Sequence, residues 1–461
     1  MINLTEHRSI HCIGIGGVGV SAIAEILLAR GYKVTGSDIR ESELTDKLKE
    51  MGATIFIGQK AENVEGADLI IYSAAIAEEN PEFKRAMELG IPMASRAEVL
   101  GRLMDEFENS IAISGTHGKT TTTSMVSLIL QKAALDPTIL VGGTLSEING
   151  NCKVGSSSFF VTEACEYRDS FLELRPALEV ILNIDSDHLD YFKDVEHIVR
   201  SFDRFTGNIR EGGRLIAYDA NPFVNRIIKD MPDVITYGYN SGSTYSITDV
   251  RFTGQGMPCF DILYKGEDLG RVELQVPGEH NILNAAAAFA CTHTLGVDPK
   301  VIIETLHAYK GTRRRFDILG RTEKGVMVVD DYAHHPTEIK ATLSAAQNLP
   351  HNRIWCVFQP HTYTRTLALF DEFAGAFEQA DILILTDIYA AREKDIYNVN
   401  SKLLAERIRA THPDKDIRYV SDMALIAETV DAETEEGDLV IVMGAGDVYK
   451  VGHMMVKEEE A

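Results

Sequence analysis

The sequence predicts a three-domain α/β protein, and three observations carry that expectation. Apolar runs of strand length alternate with stretches of helical spacing, the pattern of parallel sheets with right-handed crossovers. Three blocks each open on a strand followed by a glycine turn or an acid. The length, 461 residues, accommodates about two to four domains at roughly 100–200 residues each. The block boundaries are placed at 1–108, 109–313 and 314–461.

Composition narrows the function classes. Hydrophobic residues make up 45% and charged residues 25%, ordinary for a globular chain rather than a disordered or fibrous one. No apolar run approaches about 18 residues, so no membrane span is expected, and the amino terminus lacks the basic-then-apolar pattern of a signal peptide. Six cysteines stand without CxxC spacing, which fits a reducing cytoplasm. The net charge of −24 offers no basic footprint for nucleic acid. An anionic substrate then needs a locally positive site built from helix N-termini and a few cations.

The first block predicts strands at 9–13, 33–38 and 68–72, with a helix from Val20. Between the first strand and the helix lies Gly14-Ile15-Gly16-Gly17-Val18-Gly19, in GxGxxG spacing, and Asp38 ends the second strand. Glycines there let a backbone approach a diphosphate at a helix N-terminus. Alone, the motif reads as an NAD-dependent oxidoreductase, or as a turn needed only for helix–strand packing.

An acidic helical stretch at 103–109 leads into the second block. A strand at 110–114 precedes Gly115-Thr116-His117-Gly118-Lys119-Thr120-Thr121. A lysine and hydroxyls after a glycine at a strand-to-helix turn suit phosphate cradling and Mg²⁺ binding, so ATP is the expected ligand. Strands at 158–162 and 180–184 end in acids and polar groups: Glu163 and Glu166 after the first, Asn183, Asp185, Asp187 and His188 after the second. Ligands in open α/β sheets lie beyond the carboxyl ends of strands, so both ends point to the Lys119 turn. A helix opening at 277–288 carries Asn281 and Asn284 one turn apart, placed to address one planar base or to cap the helix. Cys165 reads as a small core filler. The third block follows Gly311-Thr312-Arg313-Arg314-Arg315-Phe316, with strands at 326–330, 354–358, 382–385 and 439–443 and a solvated tail at 457–461. A dehydrogenase needs no ATP turn and a simple ATPase no second diphosphate turn. Together the two turns indicate an enzyme that spends ATP on a nucleotide-linked substrate.

These residues resemble the Mur ligase family, the ATP-dependent enzymes that assemble the peptide of peptidoglycan precursors. The resemblance rests on the 115–121 turn, Glu163 to Glu166, Asn183 to His188 and His280-Asn281-Ile282-Leu283-Asn284, in order along nearly the whole chain. Further motifs are Gly36-Ser37-Asp38, Ser73 to Ile76 followed by Arg96, Asp330 to Glu338, and Gln359 to Arg365. It implies a Rossmann-like N-terminal domain holding a UDP-sugar through Gly14, Gly16, Gly17, Gly19, Ser37, Asp38, Ser73 and Arg96. It implies a central P-loop-type domain with a parallel sheet, binding ATP through Gly115, Thr116, His117, Gly118, Lys119, Thr120, Thr121, His280, Asn281 and Asn284, with Arg314 and Arg315 steadying phosphate. Thr120, Glu163 and His188 would hold Mg²⁺. A C-terminal Rossmann-like domain would line the amino-acid pocket with Tyr332 and His334, beside Arg365. Lys119, Glu163, His188, His334 and Arg365 would be catalytic. The implied reaction joins L-alanine to the lactoyl carboxylate of UDP-N-acetylmuramate through an acyl phosphate, in a cytoplasmic monomer or homodimer; the alternative is a sibling that adds a preformed peptide. Two positions depart from the family pattern: Ser201-Phe202-Asp203-Arg204 stands where siblings carry a carbamylated lysine, and Thr362 stands at a position often basic.

Overall fold

In the computed structural model, which describes residues 2–189, 191–391 and 393–456, the chain divides into two compact units. The first unit takes residues up to Ile184, 196–237 and 287–301; the second takes 185–195, 238–286 and the rest. The tail read as solvated at 457–461 lies outside the described residues.

The first unit opens with five parallel strands: β1 (Ser9–Ile13), β2 (Lys33–Asp38), β3 (Thr54–Ile57), β4 (Leu69–Tyr72) and β5 (Met93–Ser95), in the order β3-β2-β1-β4-β5. Ile10, Cys12 and Ile13 are fully buried, as expected of a strand covered on both faces. The chain adds strands to one side of β1 and then returns to add β4 and β5 on the other. The reversal puts a crevice at the carboxyl end of β1, where ligands of such sheets bind.

Seven strands follow: β6 (Asn109–Ser114), β7 (Thr138–Leu145), β8 (Gly150–Lys153), β9 (Phe159–Glu163), β10 (Leu178–Ile181), β11 (Arg214–Tyr218) and β12 (Ile235–Gly238). Their order is β12-β11-β10-β6-β9-β7-β8, parallel except for the β7–β8 hairpin. β6, at the centre, feeds the glycine turn and the helix Lys119–Lys132.

In the second unit, β13 (Tyr245–Phe252), β14 (Pro258–Tyr264) and β15 (Glu267–Glu273) form an antiparallel meander. The third sheet comprises β16 (Asp317–Arg321), β17 (Met327–Asp331), β18 (Ile354–Phe358), β19 (Ile382–Leu385), β20 (Asp416–Tyr419) and β21 (Leu439–Met443), ordered β16-β17-β21-β18-β19-β20. Only β16 runs antiparallel to its neighbour. Side chains of β18 divide by the two-residue strand period: Ile354, Cys356 and Phe358 enter one core, Trp355 and Val357 the other.

The expected strands form, with two corrections. The strand placed at 180–184 is β10, which ends at Ile181; Leu182 to Ile184 leave the sheet to serve the glycine turn. The helix placed at 103–109 is the end of Arg96–Asp105, and Phe107 instead turns to pack on Phe160 at 4.9 Å. Among the described residues no helix is long and apolar enough to cross a membrane.

Candidate active site

The first glycine turn is laid onto the end of β2. Gly14 takes φ +77, a conformation glycine adopts without a Cβ penalty. Gly14 and Ile15 donate their N–H groups to the Ser37 carbonyl at 2.9 and 3.0 Å, and Gly16 N–H donates to Asp38 Oδ2 at 2.9 Å. A Cβ on Gly16 would meet that carboxylate at 2.8 Å, and one on Gly19 would meet Arg96 Cδ at 2.8 Å. The Arg96 side chain therefore lies across the start of the helix Val18–Ala29, which Gly17 precedes as N-cap. Ser73 and Ile76 face Gly14. A helix N-terminus and a guanidinium converge at the carboxyl end of β1 and suit a diphosphate. Ser37 differs from the expectation: its hydroxyl is fully buried and donates inward to Glu82 at 2.5 Å.

The second turn follows β6. Gly115 has φ +137, and a Cβ there would strike Leu182 at 2.9 Å. Gly118 caps the helix Lys119–Lys132 at φ 86. Asn183 grips the turn as a peptide unit would: its Oδ1 accepts from His117 N–H at 2.8 Å, its Nδ2 donates to the His117 carbonyl at 3.0 Å, and its own carbonyl accepts from Thr116 N–H at 3.1 Å. Lys119 Nζ bonds the Gly115 and Thr116 carbonyls and both oxygens of Glu166, at 3.1 and 2.9 Å. Burial works against the Lys119 charge, but the Glu166 carboxylate outweighs it and holds the ammonium above its ordinary range. Thr120 is buried at the first turn of the helix, and Thr121 follows it there.

Glu163 ends β9, and its Oε1 accepts from Gly142 N–H at 2.5 Å. A Cβ on Gly142 would lie 2.7 Å from Glu163 Oε2, so a side chain there would displace that carboxylate. Ser201, in the 201–204 stretch, donates to Asp169.

In the second unit a cluster forms around Asp187. Its Oδ1 accepts from Arg365 Nε and Nη2 at 3.2 and 3.0 Å, and His188, at φ 53, places Nε2 3.8 Å from Oδ2. Burial opposes the Asp187 charge, yet Arg365 and the neighbouring imidazoles hold it far below the carboxylate range. Arg365 Nη1 meets His361 Nδ1 at 3.1 Å, and the His361 ring lies 5.6 Å from His334. Thr362 sits at φ 64 and ψ 147, a strained conformation for a β-branched residue, and its hydroxyl caps the short helix that carries Arg365. Desolvation pushes His334 down to about 4 and His361 down to about 3. His334 Nδ1 faces the Tyr332 carbonyl at 2.9 Å, so that nitrogen carries the proton and Nε2 is the acceptor.

Arg314 is not an unattached cation. It bonds Asp330 Oδ2 at 3.2 Å and the Gly444 carbonyl at 2.6 Å, between the rings of Tyr332 and Tyr449. Arg315 lies over the Tyr332 ring at 5.1 Å. At the helix Glu279–Thr294, Asn281 Nδ2 bonds the Pro277 carbonyl and Asn284 Nδ2 bonds Asn281 Oδ1; the His280 ring packs against Gly278. Sequence reasoning missed Asn183 as a clamp, Gly142 as a seat, and Asp187 and His361 as partners of Arg365. A glycine pair past a strand and an asparagine just beyond β10 are the only signals that could have marked the first two.

Comparison with known proteins bears on the whole chain. The Mur ligase family, catalytic domain, matches residues 9–108; the Mur ligase middle domain, 113–292; and the Mur ligase, glutamate ligase domain, 314–446. The UDP-N-acetylmuramate–L-alanine ligase of Alkaliphilus metalliredigens is 51% identical over 460 residues, 99% of each chain. That of Acetivibrio thermocellus is 48% identical over 462 residues, covering 100% of this chain and 98% of its own. The crystal structure of the UDP-N-acetylmuramate-alanine ligase from Thermotoga maritima is 28% identical, covers 97% of this chain and 98% of its own, and superposes with a TM-score of 0.83. The three matches run in order from β1 to just past β21, and the chain belongs to the Mur ligase family.

Proposed function

We propose that this chain is an ATP-dependent carboxylate–amine ligase that joins L-alanine to the lactoyl carboxylate of UDP-N-acetylmuramate in cytoplasmic peptidoglycan precursor synthesis. One observation carries the reading: two glycine turns, each between a strand and a helix, in a chain 51% identical over 99% of its length to a relative named for that reaction. Residues 1–108 would take the UDP-sugar, 109–313 the ATP, and 314–461 the amino acid.

Chemistry explains why ATP is needed. A carboxylate is a poor acyl donor because oxide is a poor leaving group. Phosphoryl transfer to one carboxylate oxygen gives an acyl phosphate, which the alanine amine attacks; phosphate leaves with that oxygen and an amide remains. Lys119 offsets charge on the transferring phosphoryl, moving from Glu166 to the β/γ-phosphates. The hydroxyl of Thr120 and the carboxylate of Glu163 are the hard oxygen donors that Mg²⁺ prefers, with His188 as a third candidate. When bound, Mg²⁺ would neutralise charge on the phosphates. Gly142 holds Glu163 in one orientation for that role. Arg315 offers a cation to phosphate, whereas Arg314 secures the turn through Asp330. Arg365, held by Asp187, would receive a carboxylate. His334 is too weakly basic, at about 4, to strip an ammonium; its Nε2 instead orients the amine as a hydrogen-bond acceptor, with Tyr332 beside it.

Phosphate release from ATP with UDP-N-acetylmuramate, run with L-alanine, glycine, L-serine and a preformed tripeptide in turn, tests the proposal. Release fastest with L-alanine supports it. Release only with the tripeptide assigns the sibling reaction, and release without UDP-N-acetylmuramate overturns the reading.

A further inference from the structure

Beneath the first glycine turn lies an acid that the ligase mechanism does not use. Glu82, in the first turn of the helix Pro81–Leu89, is completely buried. Buried carboxylates are rare unless partnered, and this one is surrounded by donors. Oε2 accepts from Ser37 Oγ at 2.5 Å. Oε1 accepts from Asn63 Nδ2 at 2.5 Å and from Lys60 N–H at 3.3 Å. His11, also completely buried on β1, faces Oε2 with Nε2 at 3.6 Å and is fixed from its other side by Thr35 Oγ1 at 2.8 Å. Burial opposes the Glu82 charge, and the facing His11 imidazole with the bonds from Ser37 and Asn63 outweighs it, keeping the group below its ordinary value.

Ser37 links this network to the binding turn. Its carbonyl receives Gly14 and Ile15 N–H, and its successor Asp38 receives Gly16 N–H. The amides of the turn are therefore aligned by two residues of β2, one of which is tied to Glu82. We infer that Glu82 is a positioning residue for nucleoside-diphosphate binding: through Ser37 it fixes the end of β2 on which the 14–19 turn is templated. Ser37 then acts from below the turn and does not itself contact the ligand. The inference rests on the UDP-sugar assignment above.

Glu82→Gln keeps the shape of the side chain but not its acceptor pattern. One oxygen becomes an amide NH₂, so a donor must face a donor or the Ser37 hydroxyl must reverse, and a charge-assisted bond is lost. Titration calorimetry of the full chain with UDP-N-acetylmuramate and, separately, with ADP provides the test, on wild type, Ser37→Ala, Glu82→Gln and the double variant. Each single change is expected to weaken UDP-N-acetylmuramate by about five-fold or more, as for loss of a buried hydrogen bond, with the double variant no worse than the weaker single. ADP affinity is expected to stay within about two-fold in all four. Should Glu82→Gln not fold, Asn63→Ala takes its place in the cycle with the same expected non-additivity. Wild-type affinity in Glu82→Gln, or effects that multiply in the double variant, would overturn the inference alone. A wild-type chain that binds no UDP-N-acetylmuramate would overturn it together with the ligase reading.

Discussion

Asn183 shows how one side chain can shape a binding turn. Its amide pairs with both backbone groups of His117, reproducing a peptide–peptide contact where β10 has already ended. Asn183→Ala removes two hydrogen bonds from the turn while leaving Lys119 in the sequence. The expected outcome is a KM for ATP raised about ten-fold, with the KM for UDP-N-acetylmuramate unchanged, read from initial rates. The histidines give a second prediction. His361 and His334 resist protonation in the fold, at about 3 and 4, against about 6.5 in an unfolded chain. A depressed value means their contribution to stability is complete above about pH 6.5 and lost as pH falls toward 4 and then 3. Denaturant unfolding of wild type and His361→Gln at pH 7 and pH 5 checks this: wild type should lose more stability on acidification than the variant. The Lys119 turn was readable because glycine, lysine and threonine follow a strand in fixed spacing. Asn183 was readable as facing that turn, though not in its clamping bonds; the Asp187–Arg365 pairing was not, because loop residues have no periodicity and the two lie 178 residues apart.

At the scale of elements, the legible strands are the buried ones. β1, β6, β18, β19 and β21 are buried along almost their whole length, and the sequence reading located all of them. The meander β13–β15 escaped it, since the outer half of β13 is exposed and mixed polar residues carry no core signal. β3 and β5 escaped because they are only four and three residues long and are not fully buried. β10 illustrates a conflict inside a legible element: Glu179 is fully buried among apolar neighbours, with one bond from Ser114 at 3.4 Å. Burial pushes its carboxyl well above the ordinary range despite that bond. A raised value means the folded chain holds the proton, so its stability contribution is present below the unfolded value near 4.5 and is lost as pH rises. Glu179→Gln removes that dependence. Relative to wild type, the variant should gain stability between pH 5 and pH 8, measured by denaturant midpoint, with no change in ADP affinity.

For the molecule as a whole, the fold class was the most legible feature and the site the least. Alternating strands and helices with two glycine turns were enough to expect three α/β sheets, and the family follows from motifs in their order. What sequence could not supply was the direction in which polar side chains turn: Ser37 inward to Glu82, Arg314 to Asp330, Glu163 onto Gly142. Those choices depend on burial and on distant partners, which only the fold sets. A chain of net charge −24 serves anionic substrates only where helix N-termini and cations such as Arg96 and Lys119 stand together. The central claim is that ATP activates the sugar's own carboxylate. Turnover of UDP-N-acetylmuramate labelled with ¹⁸O in both lactoyl carboxylate oxygens, with ATP and L-alanine, tests it most directly. Mass spectrometry should find one label in the released phosphate and one retained in the amide carbonyl. Unlabelled phosphate accompanying amide formation would contradict the account.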